Sequence, residues 1–274
     1  MEKKYELTEE TLEIDGHVLN RIIALRDFGE VKKGDLGGFI EKESNLAHDW
    51  NCWIYNDAVV RDDAMVCGEA RVCGEARVFG EARVFGEARV CGEARVFGEA
   101  RVFGEAEVYG KAEVCGEARV YGEARVYGEA EVFGEARVCG EAEVCGEAEV
   151  FGEAEVCGEA RVYGKAKVRG EARVYGEAEV FGEARVCGEA RVYGKAKVRG
   201  EAVIKSKSDY IVFKNWWSSG RYFTWTSSND MWSVGCFYGT GEELIKKAYA
   251  DNEEKGREYE RVVKYVESIK QELK

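Results

Sequence analysis

Imidazole and thiol are the side chains with which this sequence could most readily do acid–base, metal or nucleophilic chemistry. Their placement limits all three. His17 and His48 are its two histidines, and none follows His48. Eight of the ten cysteines, from Cys67 to Cys187, fall in one periodic segment whose period is six. Cys73/Cys91 and Cys139/Cys157 stand three periods apart, whereas Cys67 and Cys73 are separated by one. No C-x-x-C pair occurs, so the metal signal is weak. Gly34-Asp35-Leu36-Gly37-Gly38 lacks the Gly-Lys-Ser/Thr ending of a phosphate loop and reads as a turn. Acidic residues outnumber basic ones 53 to 40, a formal charge of −13, which argues against a general binder of phosphate backbones. Binding chemistry of another kind gathers in one place: aromatic side chains make up about a third of the stretch from Tyr210 to Tyr238.

The element that must position these groups is the repeat of six. Valine occupies every sixth position from Val60 to Val198, 24 times, with Ile54 and Ile204 in register at the ends. Alanine lies two residues before each from Ala58 to Ala202, and Cys52 takes the same slot before Ile54. Glycine follows two residues after each valine from Gly68 to Gly200. The unit is Ala-(Arg/Glu)-Val-(Phe/Tyr/Cys)-Gly-Glu. Alternation puts Ala and Val on one side of a short strand and their neighbours on the other. Glycine then permits a sharp corner. Three such sides, one hexad each, close a coil, and coils stack through parallel ladders. Twenty-six hexads predict eight to nine coils, roughly 42 Å long at ~4.8 Å per coil. Val and Ala fill a bore of this width and leave no room for a ligand. The chain has no proline, so every backbone N–H is available to the ladders.

An aliphatic residue every sixth position, with a small residue two before it, resembles the hexapeptide-repeat left-handed parallel β-helix superfamily across residues 54–204. In this chain Glu follows the corner glycine, where Asn or Asp would better tolerate a left-handed backbone. The resemblance implies a left-handed coil. Many members are acyltransferases with a histidine base on the coil, at the junction of a trimer, and a long loop that holds the acyl donor. This chain has neither a histidine between His48 and its end nor such a loop. The segments 34–40 and 216–225 look like flanks of uncharacterised β-helix proteins of gut bacteria and their phages, some labelled polymer-forming.

The expected fold is therefore an all-β solenoid, a three-sided left-handed parallel β-helix. Residues 1–50 form an N-terminal β cap, 51–204 the β-helix, 205–239 an aromatic β-meander and 240–274 a helical segment. Leu12–Leu19 reads as a hairpin around Asp15-Gly16, and Trp50 and Trp53 help close the first coil. Thr240-Gly241-Glu242-Glu243 matches a capping box before one helix, and Arg257–Leu273 a second with a single apolar stripe. Residues three hexads apart should stack. The row from Arg89 to Lys197 then alternates in sign, whereas the row Arg83, Arg101, Arg119, Arg137 is basic. Rings after each Val either pack over glycine corners or form a lateral contact stripe. The cysteines read as replacements for those rings in a reducing cytosol.

For function, the sequence favours a structural, scaffolding protein without enzymatic activity: a rigid spacer that self-associates or presents its terminal modules. The alternative is a phage- or prophage-type binding protein that captures a host protein or small ligand through the aromatic module, and an acyltransferase ranks last. No catalytic residue, cofactor or metal is expected. Candidate interaction residues are Trp216, Trp217, Arg221, Tyr222, Trp225 and Trp232. The expected partner is a second copy or another protein. Nucleic acid and a membrane span are disfavoured, and the expected compartment is the cytoplasm.

Overall fold

The computed structural model describes residues 2–217 and 219–272. Each hexad from residue 53 to residue 204 contributes one strand, and strands three hexads apart pair in parallel, as at Arg101↔Arg119 and Val102↔Val120. Three sheets result, one per side of the coil. The ladder repeats the same bonds in each hexad: Arg101 N–H donates to Ala118 C=O (2.9 Å), Phe103 N–H to Val120 C=O (3.0 Å) and Glu105 N–H to Gly122 C=O (2.8 Å). Inward Val and Ala side chains are fully buried along the whole axis, as the period of six requires.

The corners explain the glycines. From Gly68 to Gly200 the corner glycine adopts φ between 65° and 76°, a region costly for residues with a Cβ. Neighbouring coils also approach too closely for a side chain. A Cβ on Gly86 would lie 2.9 Å from the backbone N of Gly104, one coil on. Because glycine itself takes the left-handed conformation, the Glu after it carries no strain. In the first turns Asn56 (φ 56°) and Asp62 (φ 57°) hold that corner instead. Both are types that tolerate this region.

The N-terminal segment extends one of the three sheets. Strands β1 (Tyr5–Ile14) and β2 (His17–Ala24) form the expected hairpin, turning at Asp15 (φ 52°) and Gly16 (φ 83°). Strand β3 (Leu36–Ile40) pairs antiparallel with β2 and parallel with Val59–Val60, so the sheet runs unbroken from hairpin to coils. Trp53, 1% exposed, plugs the end of the core beside Tyr5 and Phe28. Trp50 does not join it: at φ 59° its side chain is turned outward, 70% exposed.

Four antiparallel strands, Tyr210–Lys214, Tyr222–Thr226, Met231–Val234 and Phe237–Gly239, make the meander. The run 231–239 is two strands rather than one, because Gly235 (φ 60°) reverses the chain. Helix α1 (Gly241–Asp251) opens with the expected capping box, in which Glu243 N–H donates to Thr240 Oγ1 and Thr240 N–H to Glu243 Oε2. Helix α2 (Glu253–Glu272) begins earlier than the apolar stripe suggested, and Leu273 lies outside the described residues. The stripe of Tyr259, Val262, Val263 and Val266 packs with Phe223, Trp225 and Trp232 of the chain's own meander. Polar bonds seat this module on the last coils: Lys197 N–H donates to Thr224 Oγ1, Val203 N–H to Ser228 Oγ, and the Tyr210 and Tyr238 hydroxyls to the carbonyls of Arg191 and Arg199. Among the described residues no helix is long and apolar enough to cross a membrane.

The corner geometry predicts a graded response to alanine. Gly86→Ala adds both backbone strain and a clash with the next coil, at a cost of about 1–3 kcal/mol. Gly194, with φ 67° and nothing within 4 Å of its would-be Cβ, meets the strain alone. Denaturant melts should show Gly86→Ala as the more damaging variant. Equal losses would refute the close-approach argument.

Candidate functional site

The structure divides the six candidate residues of the C-terminal module. Trp225 (3% exposed) and Trp232 (2%) are core, which corrects their reading as contact residues. Their strands alternate, and this face meets α2. Trp225 Nε1 donates to Asp230 Oδ1 (2.8 Å), and Lys270, itself paired with Asp230, lies 5.5 Å over its ring. Trp216 and Trp217 sit beyond the first meander strand and are exposed, 77% and 51%. Their rings meet edge to face, and Trp217 Nε1 donates to Glu258 Oε2 on α2 (2.8 Å). Trp217 and Arg221 share a surface hollow of about 340 Å³ with Ser219, Asn252, Glu254 and Lys255. Tyr222 points elsewhere, with Lys195 and Lys214 5.8 and 5.6 Å from its ring.

Tyr222 and Lys195 close the end of a groove of about 760 Å³ that follows one glycine corner from Gly104 to Gly194. Its rim carries Glu105, Glu123, Glu141, Glu159 and Glu177. Sequence reasoning recognised the Glu row but not the concavity. The signal was present, since a column of residues without side chains must leave a channel beside the column that follows it.

The outer columns stack as the spacing predicted. Phe79–Phe97, Phe85–Phe103, Tyr109–Tyr127 and Phe133–Phe151 lie parallel with centroids 4.8–4.9 Å apart. The rings therefore pack on one another, coil to coil. Arg61 covers Phe79 at one end (4.5 Å), and Arg199 lies between Phe181 (5.2 Å) and Tyr238 (4.4 Å) at the other. The mixed charge row pairs down its length, for example Arg125 with Glu107 and Glu143, both at 3.7 Å. The cysteines were expected to replace rings in a reducing cytosol, with two pairs stacked within possible disulfide range. Both are disulfides, Cys73–Cys91 and Cys139–Cys157, with Cα atoms 4.6 Å apart. Adjacent coils bring them within bridging range, and such bonds persist in oxidising compartments.

The cluster that the sequence did not assemble lies at the hairpin. His17 Nδ1 is 3.0 Å from Glu41 Oε1, and His17 Nε2 is 3.7 Å from Asp62 Oδ1. The turn at Asp15-Gly16 lays the start of β2 against the end of β3 and the corner at Asp62. Glu41 Oε2 accepts from Asp62 N–H (2.6 Å), while Asp62 Oδ2 takes Arg61 (2.9 Å) and Gly80 N–H (3.0 Å). The hydrogen bonds from His17 and then Asp62 hold the Glu41 carboxyl below its ordinary range. One donor atom from each of His17, Glu41 and Asp62 lies within 4.8 Å of the others. With a carboxylate on each side of a one-third-exposed imidazole, this group can orient a tautomer and move a proton. His48 is different. It stacks on Tyr5 (4.4 Å), accepts from Lys4 N–H through Nδ1 (3.2 Å), and burial lowers its pKa.

No family model matches the chain. It is 39% identical over 66 residues to an Escherichia coli (strain K12) protein named "Uncharacterized acetyltransferase YdcK". That stretch is 21% of this chain and 20% of the relative, so the likeness spans about a fifth of each. The expectation of a chain without enzymatic activity is corrected by this finding, because the likeness points, weakly, toward an acyltransferase. His17 meets carboxylates that are distant from it in sequence.

Two measurements check these placements. Trp225→Ala or Trp232→Ala should cost about 3–5 kcal/mol by cavity formation, whereas Trp216→Ala should stay within about 0.5 kcal/mol, read from denaturation curves. Glu41 is held at a lowered pKa when folded, so its stabilising effect is present above the ordinary carboxylate range and is lost as pH falls through the folded value. Glu41→Gln should therefore flatten the acid limb of the stability–pH curve and leave its slope above neutral pH unchanged.

Proposed function

We propose that the chain is a rigid β-helical spacer that presents its C-terminal module to a protein partner, with Trp216, Trp217 and Arg221 forming the contact group. The carrying observation is the pair of exposed indoles beside the 340 Å³ hollow, on a module that buries its other two tryptophans. Trp and Arg are the types that dominate protein interfaces. The solenoid supports the same reading. Its core is filled throughout, and its cystines and stacked columns tie coil to coil, so it holds two dissimilar ends at a fixed separation. A second copy of the chain and a different protein both fit this surface, and native mass with affinity capture from source cells tells them apart. Trp216→Ala combined with Trp217→Ala should weaken the captured association by about tenfold or more while leaving the melting curve in place. Undiminished association would sink the reading.

A second reading is acetyl transfer at His17, favoured by the likeness to a protein named as an acetyltransferase and by the Glu41–His17 pair. With the Nδ1 proton donated to Glu41, the Nε2 lone pair, 3.7 Å from Asp62 Oδ1, can take a proton from an acceptor hydroxyl or amine as it attacks an acetyl thioester; the C–S bond then breaks and the leaving thiolate takes that proton from Nε2. Its test is turnover of acetyl-CoA across a panel of acceptors. His17→Asn should abolish turnover without altering association through the C-terminal module. Turnover that survives His17→Asn would remove this assignment.

A further inference from the structure

At the N-terminal end of the solenoid a lysine is buried without a carboxylate. Lys4 is fully buried, and its Nζ donates to the carbonyl of Cys52 at 2.8 Å and touches Cys52 Sγ at 3.2 Å, with the Phe28 ring 5.1 Å away. Lysine is almost never fully buried unless paired, and an isolated ammonium is costly inside a protein. Cys52 supplies the only acidic group in contact among the described residues. It is itself fully buried, and it alone among the cysteines occupies the inward slot that alanine holds in the repeats. Cys52 Sγ also lies 3.5–3.7 Å from the carbonyl oxygens of Ala47, Asp49 and Val66.

Amine and thiol share a proton at this distance. With the proton on nitrogen, sulfur is a thiolate held by the adjacent ammonium, the form that oxidants attack. With it on sulfur, nitrogen carries a free lone pair. Burial lowers the lysine pKa and raises that of the thiol, so neither charge is strongly favoured. Sulfur oxidised in this setting has a nitrogen as its nearest nucleophile and no second cysteine in bonding contact, since Cys52 is free. The sulfenic acid of an oxidised cysteine is known to condense with a backbone nitrogen, so oxidised sulfur and nitrogen do become joined within proteins.

We propose that Lys4 and Cys52 are a redox modification site, at which peroxide joins Nζ to Sγ through one oxygen atom. The step balances as one amine, one thiol and two hydrogen peroxide molecules giving the N–O–S link and three waters. One N–H bond and the S–H bond break, one N–O and one O–S bond form, and each peroxide accepts two electrons and two protons. The link removes the basic amine, and with it the cost of a buried ammonium. It also fastens the start of β1 to the first coil across 48 residues of sequence. Dithiothreitol reverses it by reducing the sulfur.

The test treats the full chain with hydrogen peroxide, blocks free thiols, cleaves after glutamate and reads peptide masses. The expected product is the Lys4 and Cys52 peptides joined, at their summed mass plus one oxygen less two hydrogens, and lost on treatment with dithiothreitol. Cys236, which is exposed, reports within the same sample that oxidant has acted. Lys4→Arg should eliminate the joined peptide and leave Cys236 oxidation unchanged. The proposal is overturned if Cys52 oxidises to sulfinic acid while Lys4 stays free, or if both remain untouched after Cys236 is consumed. Neither outcome depends on a variant folding, because both are read on the unaltered chain.

Discussion

Backbone hydrogen bonds between coils, made at the same positions of every hexad, are the constraint from which the rest of the molecule follows. They fix adjacent coils at one strand spacing, and the corner residue must then turn with positive φ while the next corner passes directly beneath it. Gly86 over Gly104 shows both demands at once: φ is 71°, and no room is left for a Cβ. Valine and alanine follow from the same spacing. Three sides this short enclose a bore that one branched and one small side chain per side fill completely.

The ladder also dictates which side chains meet. A parallel register places each residue above the one three hexads before it, so chemistry is sorted into columns. Like stacks on like where that is favourable, as in Phe133 on Phe151. Opposite charges alternate where it is not, as in Arg125 between Glu107 and Glu143. Individually these exposed pairs contribute little. Their value is to offset the like-charged columns, such as Arg83, Arg101, Arg119 and Arg137, which repel at the spacing that the backbone requires. Cysteine enters the aromatic columns on the same terms, and two successive cysteines in a column are close enough to bond.

What could be read directly from residues was what the period controls: the strands, the three faces, the buried Val and Ala, and the approach of Cys73 to Cys91. The hairpin at Asp15-Gly16 and the capping box at Thr240 were also legible, because short-range backbone geometry demands those residue types. Side chains outside the period were harder. Trp225 and Trp232 carry the same indole as Trp216 and Trp217, and only the packing of α2 on the meander separates core from surface. His17, Glu41 and Asp62 lie on a hairpin, a strand end and a coil corner, so no local pattern announces that they converge. Lys4 reads as an ordinary polar residue near the start of a strand until Phe28, His48 and Cys52 close around it.

The paired period of backbone and side chains has a consequence at the level of the gene. Near-identical hexads are encoded by near-identical stretches of DNA, which favour unequal exchange and slippage during copying. Loss or gain of one hexad leaves a filled core but advances everything downstream by one face, joining the aromatic and charged columns of one face to those of another and turning the C-terminal module toward a new side. Three hexads together restore every column. The lineage can thus sample proteins of different length whose ends face the same way, and the length of the rod becomes a heritable quantity that changes in whole coils.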